Sequence, residues 1–355
     1  MASEMITERK YRPGERVRYG WKTELSKIIT QHNKLTVNGD RNVSTRTRNA
    51  RIEALYAGFK ELRELGYKIE NPRNFNEKHM RALVAHWESK ELSPATIQNR
   101  ISFFRIFSEW IGKNNMIKKS EMYCSSPEVV KRSQVAQEDK SWSAKDIDMP
   151  TLLLQIEAYS KHAAAQILMI NAFGLRRNEA LCFKPNLNWL TTERDGMGYI
   201  RVRDGTKGGR ERIIMVETPQ QEHALLYAKQ VAGKQKNASI CYPYIKLEQA
   251  VQRYNYIMRK FGLTKAELGV TGHGLRHQYA NDRYEKLSGM QSPVRGGNKK
   301  SIKDKDADID ARYQVSEELG HSRLSVTAAY YGSHTRQPKR KTTMMDDKQA
   351  TLGLE

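Results

Sequence analysis

Residues 271–332 hold the side chains best suited to chemistry. His273 and Arg276 stand three residues apart in TGHGLRHQYA. His321 follows in VSEELGHSRLSVTAAYYG, and Tyr330 and Tyr331 lie side by side near its end. A guanidinium binds non-bridging phosphate oxygens in bidentate fashion. An imidazole moves protons near neutral pH. A tyrosine hydroxyl can serve as a covalent nucleophile. Together these groups suit phosphodiester chemistry. Neighbouring residues on a helix point about 100° apart, so only one of the two tyrosines faces a given phosphate. Metal ligation is the rival use of His273 and His321. No Cys or carboxylate stands at ligand spacing near them and H-E-x-x-H is absent, so neither a metal nor another cofactor is expected.

These residues need elements to position them. Residues 152–173 read as one helix, almost continuously apolar from Ala163 to Phe173 and so buried on all sides. Gly174 ends it, and Leu175-Arg176-Arg177-Asn178-Glu179 follows. An unpaired guanidinium beside so buried a helix is costly. The pattern makes sense if Arg176 points into a site and Glu179 holds it. Tyr199–Arg203 alternates, Asp204–Gly209 is a turn, and Arg212–Val216 is apolar and β-branched, which predicts a β-hairpin carrying Lys207 at its tip. Residues 220–261 read as helical with a break near Cys241-Tyr242-Pro243, and Arg253, Arg259 and Lys260 are basic enough to meet phosphate there. Upstream, Ile52, Leu55, Phe59, Leu62 and Leu65 recur at helical spacing. Asn76 caps a second helix with Met80, Leu83, Val84 and Trp87 on one face. Ser93-Pro94 opens a third, with Ile97, Ile101, Phe104, Phe107 and Ile111 as its stripe. Phe103 and Trp110 are assigned to the same core.

The fold class is therefore mainly α with a small β-hairpin or sheet, in two domains. Residues 1–43 form a basic N-terminal arm, 44–125 a helical DNA-binding domain, 126–142 a linker, 143–335 the catalytic domain and 336–355 a basic tail. Ser143 is expected to cap the first helix of the second domain. The net charge is +21 and is shared, with 27 basic against 17 acidic residues up to Ser143 and 34 against 23 beyond. Two basic domains suit double-stranded DNA, whose affinity for proteins comes largely from phosphate neutralisation. Arg46, Arg48, Arg51, Arg100 and Arg105 are the expected phosphate contacts of the first domain, and Arg177 of the second. Three cysteines without paired spacing imply reduced thiols, and neither a membrane span nor a signal peptide is expected. That places the chain in the cytoplasm, at the nucleoid.

The motifs also resemble a family. His273-Gly274-Leu275-Arg276-His277, Leu319-Gly320-His321 and Tyr330 nine residues later are similar to the C-terminal boxes of the tyrosine recombinases, the phage-integrase class. Gly174-Leu175-Arg176 with Glu179 resembles their first arginine box and selects Arg176 over Arg177 by register. Thr206-Lys207-Gly208 resembles their hairpin motif, and Ser93-Pro94-Ala95-Thr96 their core-binding domain. The resemblance implies a helical core-binding domain, a catalytic domain, and cleavage through a 3′-phosphotyrosine. Arg176 and Arg276 would clamp the phosphate and His321 add a hydrogen bond. Tyr330 would attack, His273 accept its proton, and Lys207 protonate the leaving 5′ oxygen. It also implies a homo-tetramer on two DNA sites, with accessory DNA-bending or directionality proteins as further partners. The 44 residues between Arg276 and His321 are about twice the family's length, and the excess within 285–310 reads as a solvent loop. A type IB topoisomerase or telomere resolvase shares this chemistry, and a DNA-binding protein without catalysis is the alternative from another class.

Overall fold

The structure is a computed structural model that describes residues 20–34, 42–192, 196–206, 209–298, 302, 304–321 and 323–333. Lys207, most of the N-terminal arm and the basic tail beyond Ser333 lie outside the described residues. The chain divides into two compact units, residues 1–132 and 133–355.

Unit 1 is helical: α1 (Trp21–His32), α2 (Thr45–Glu64), α3 (Glu77–Ser89) and α4 (Pro94–Trp110). Local chemistry fixes the starts. The Ser44 hydroxyl accepts from the Thr47 amide at 3.2 Å and the Ser93 hydroxyl from Thr96 at 3.3 Å, each satisfying an orphan donor of a first turn. Leu55, Phe59, Leu62, Leu83, Trp87, Ile97, Ile101, Phe104 and Phe107 form the buried core, while Phe103 and Trp110 are half-buried at its margin. Gly58 lets α2 approach the Phe104 ring, where a side chain would collide.

The expectation that Arg51, Arg100 and Arg105 stand free for phosphate gives way here. Arg51 is buried, its guanidinium 5.9 Å from the Trp110 ring centre. Arg100 pairs with Glu61 at 3.1 Å and lies over Trp87, whose indole N–H also donates to Glu61. Arg105 donates to the carbonyls of Ile117 and Lys118. All three tie helices or loops together, because a guanidinium half-withdrawn from water needs acceptors. Arg46 is exposed, and Arg48 donates to the Thr45 hydroxyl at 3.1 Å.

Unit 2 begins with α5 (Met149–Tyr159) and α6 (Lys161–Phe173). The single helix expected over 152–173 is thus two. Ser160 ends the first in extended backbone, and its hydroxyl accepts from the Ala163 amide to start the second. Nor does Ser143 cap α5; Asp148 does, accepting from the Thr151 amide at 3.2 Å, after a left-handed Asp146 has broken the preceding turn. Then follow α7 (Arg177–Cys182), α8 (Pro185–Asn188) and an antiparallel sheet of β1 (Trp189–Thr191), β2 (Gly198–Val202) and β3 (Arg212–Met215) in that order. The hairpin is β2–β3, with Ile200 opposite Ile214; β1, three residues long, is additional. α9 (Pro219–Ala232) and α10 (Leu247–Lys260) complete the first half.

α11 (Gly274–Ser288), α12 (Lys305–Glu318) and α13 (Leu324–Tyr331) carry the C-terminal motifs. α6, almost wholly buried, packs against α5, α7, α9 and α11, so it is the post around which the site is assembled. The segment read as a solvent loop is largely structured. Met290 and Ser292 are buried, Pro293–Arg295 is a 3-10 turn, and Asp304 caps α12 through the amides of Asp306 and Ala307. No helix among the described residues is long and apolar enough to cross a membrane.

Candidate active site

Four chain ends converge. Gly174, left-handed at φ +58°, ends α6 and delivers Arg176 to the start of α7. His273 immediately precedes α11, whose first turn carries Arg276. Gly320, at φ +64°, turns the chain after α12 and presents His321. α13 brings Tyr330.

Arg276 lies at the centre and is fully buried. Its Nε donates to the Tyr330 hydroxyl at 3.0 Å, one Nη to the Gly174 carbonyl, and the other to the Leu319 carbonyl at 2.6 Å. Those carbonyls end α6 and α12, where helix dipoles leave partial negative charge. Carbonyls, rather than a carboxylate in salt-bridge contact, therefore hold this cation. Burial lowers its pKa to about 10, which keeps it charged at neutral pH.

His321 Nε2 lies 3.3 Å from both Arg276 Nη2 and the Tyr330 hydroxyl. Arginine offers donors only, so donor counting assigns Nε2 as the acceptor and places the imidazole proton on Nδ1. Burial, with Arg276 and Arg176 nearby, pushes the His321 pKa down to about 4, so the ring is neutral at pH 7. His273 faces Tyr330 with ring centres 5.7 Å apart and forms no hydrogen bond with its hydroxyl. Its side chain keeps an exposed face, and loss of hydration around the ring, then the nearby His277 and Arg276, lowers its pKa to about 4. The expected proton acceptor was His273; the imidazole within reach is His321. His277 is structural, its Nδ1 3.3 Å from the Tyr330 carbonyl.

Tyr331 points elsewhere. It is buried, stacks on Tyr284 with ring centres 5.1 Å apart, and bonds the Thr327 hydroxyl at 2.6 Å. Burial pushes its pKa up to about 12. Tyr330, by contrast, is flanked by His273, His277, His321 and Arg276.

Arg176 is the most open cation of the group, with 24% of its side chain exposed. Glu179 accepts from its backbone amide and its guanidinium, both at 2.7 Å. The same carboxylate is gripped by Arg212 through bonds of 3.0 and 2.7 Å. Burial opposes the Glu179 charge, but Arg212 and Arg176 outweigh it and hold the pKa at about 2. Arg212 also donates to the Glu318 carbonyl at 2.6 Å, joining β3 to the end of α12. Arg177 is half-buried and bonded to Asn255 at 3.0 Å.

Sequence reasoning missed Arg212 and Glu318. A signal for the first existed: Arg212 shares strand parity with the buried Ile214, so it faces inward and needs a carboxylate. Glu318 accepts from Tyr279 at 2.7 Å and from Arg283, contacts that depend on tertiary packing and leave no local pattern. An open cleft of about 800 Å³ lies beside His321, lined by Arg210, Arg212, Ser316, Gly320 and Leu324. No cluster of metal-ligating residues occurs among the described residues.

Comparison with known proteins finds two matching domains. The integrase family matches residues 133–282, and the phage integrase N-terminal domain matches residues 26–117. The first match ends before His321 and Tyr330. No curated protein sequence matches the chain. Among solved structures, the lambda integrase tetramer bound to a Holliday junction has a TM-score of 0.54 at 14% identity, covering 94% of this chain and 84% of that one. The lambda integrase dimer bound to a COC′ core site has a TM-score of 0.53 at 14% identity, covering 90% and 80%. At that identity they speak for the fold alone, and the two matched domains speak for the lineage: the chain belongs to the integrase family of tyrosine recombinases, enzymes that cleave and rejoin DNA at specific sites.

Proposed function

We propose that Arg176, Lys207, His273, Arg276, His321 and Tyr330 form the catalytic set, and that the chain integrates and excises a mobile element. The observation that supports this most is the triangle of Arg276, His321 and Tyr330, with the tyrosine hydroxyl bonded to both a buried guanidinium and a neutral imidazole. The Tyr330 oxygen attacks phosphorus and its proton passes to His321 Nε2. Arg276 Nε–H stabilises the charge left on the phenolic oxygen. Arg176, more open than Arg276, binds the non-bridging oxygens, with Glu179 holding it in place. Such preorganised donors typically contribute about 3–4 kcal/mol each in other enzymes. His273, open to solvent beside the tyrosine, adds a hydrogen bond to the phosphate. Lys207 delivers a proton to the departing 5′ oxygen. The product is a 3′-phosphotyrosine and a free 5′-hydroxyl. The covalent link retains the bond energy, so a 5′-hydroxyl from a second duplex reverses the step.

Double-stranded DNA is the partner, gripped by two basic units, and a homo-tetramer on two duplexes is the working assembly. Accessory DNA-bending or directionality proteins and a place at the nucleoid belong to the same reading. The test is strand exchange. Nicked duplexes with a randomised core are incubated with the protein and covalently captured strands are sequenced. Two copies of the recovered site are then offered together. Exchange of flanking sequences supports the reading; relaxation of supercoils without exchange moves it to a type IB topoisomerase, and no captured strand overturns it.

A further inference from the structure

The linker segment that opens unit 2 touches both ends of the site. The Ala136 amide donates to the Ala328 carbonyl at 2.9 Å, two residues before Tyr330. Gly274, next to His273, lies so close to the Lys140 carbonyl and the Trp142 ring that a side chain would collide. The Trp142 indole donates to the Thr271 carbonyl at 2.8 Å, and the Ser143 amide to Gln278 at 3.2 Å. Residues 136–143 thus brace α11 at its start and α13 along its last turn.

What holds this brace is Arg295, from the segment absent from the family's usual spacing. Its Nε donates to Asp139 at 2.9 Å and one Nη to Ser141 at 3.3 Å, both in the brace. The other Nη donates to Asp282 at 2.7 Å and Glu285 at 3.0 Å, both on α11. Its own turn, Pro293–Arg295, abuts Gly332 immediately beyond the tyrosine helix. A Cβ there would lie 3.0 Å from Val294 and 3.2 Å from Pro293, at a φ of +88°. The Ser292 amide anchors the turn to Glu285 at 2.9 Å. One planar fork therefore ties brace, α11 and the stop behind α13 together, which a single ammonium cannot do.

We infer that Arg295 is a positioning residue for Tyr330: it locks the linker brace and the 293–295 turn against α13, and so fixes the attacking oxygen against Arg276. The inference rests on the function proposed above. Neither Arg295 nor its turn touches the reacting groups, so the effect is one of placement. A misplacement of about 1 Å costs a reaction on the order of 100-fold in rate.

The test compares full-length wild type with Arg295→Ala, Arg295→Lys and Gly332→Ala, using the nicked duplex recovered by covalent capture. Single-turnover adduct formation is expected to fall roughly 10- to 100-fold in Arg295→Ala, with noncovalent affinity for that duplex unchanged within about twofold. Arg295→Lys should recover part of the rate, and Gly332→Ala should reproduce the selective loss by pushing on the turn. Amide exchange supplies an activity-independent reading: Ala136 should exchange faster in Arg295→Ala while amides of α6 do not. An unchanged Ala136 amide overturns the inference, as does a rate that falls only in step with affinity. If Arg295→Ala does not fold, Arg295→Lys and Gly332→Ala decide between the same outcomes. A wild type without a Tyr330 adduct defeats the proposed function, while the exchange measurement still judges the clamp.

Discussion

Replacing Glu179 by Gln probes the charge balance beneath Arg176. The carboxylate is fully buried and accepts four hydrogen bonds from Arg176 and Arg212. Its pKa is about 2 in the folded chain against 4.5 as an isolated side chain. A depression of that size corresponds to about 3 kcal/mol of stability at pH 7. Breaking a buried ion pair typically costs about 3–5 kcal/mol, which agrees. The sign is fixed: the contribution is complete above the unfolded pKa and disappears as pH falls through about 2. The deficit of Glu179→Gln should therefore shrink from about 3 kcal/mol at pH 7 to about 1 kcal/mol at pH 3. Because the chain has two units, the readout must belong to unit 2. Urea titration with pulsed thiol labelling of Cys182 and Cys241, resolved by mass spectrometry, meets that need, and Cys124 reports unit 1. A deficit below about 1 kcal/mol at pH 7, or one that does not change with pH, would refute the argument.

His321 supplies the opposite case. Its folded pKa near 4 lies below the 6.5 of a free imidazole, so the unfolded chain binds the extra proton between those values. Its share of the stability should fall by up to about 3 kcal/mol as pH drops from 6.5 to 4, and His321→Asn should make the slope shallower in the same urea assay, leaving the part that His273 and His277 contribute. For catalysis, His321→Ala should slow adduct formation more than His273→Ala does, because His321, unlike His273, bonds the Tyr330 hydroxyl; equal losses would return the proton to His273. Lys207→Ala should slow cleavage of an ordinary duplex and recover on one with a 5′-bridging sulfur, whose thiol has a pKa of about 8.5 and leaves without a general acid. Failure of sulfur to rescue would assign the leaving-group proton elsewhere.

The helical periodicity of unit 1 was legible because one face of each helix had to be apolar. The stripe from Ile97 to Phe107 is buried as its spacing implies. Arg176 with Glu179, and the helix end at Gly174, were legible because local chemistry determines them. The free-cation reading of Arg51, Arg100 and Arg105 failed for a physical reason: their acceptors come from distant residues such as Glu61 and Ile117. Ser160 as a double cap and Asp148 as the N-cap of α5 were missed because helix-forming residues run on either side of Ser160, and a single capping residue has no periodic signature. Arg295 was hidden for a third reason. A Gly- and Lys-rich stretch looks like loop, yet three carboxylates from two other segments fold its turn onto the protein.

The most direct measurement is peptide mapping of the covalent adduct. Wild type, Tyr330→Phe and Tyr331→Phe are incubated with the captured nicked duplex, digested, and the nucleotide-bearing peptide is sequenced by mass spectrometry. The geometry predicts an adduct on Tyr330 in wild type and Tyr331→Phe, and none in Tyr330→Phe, because Tyr331 is turned away onto Tyr284 and Thr327. An adduct on Tyr331, or one that survives in Tyr330→Phe, would contradict the account.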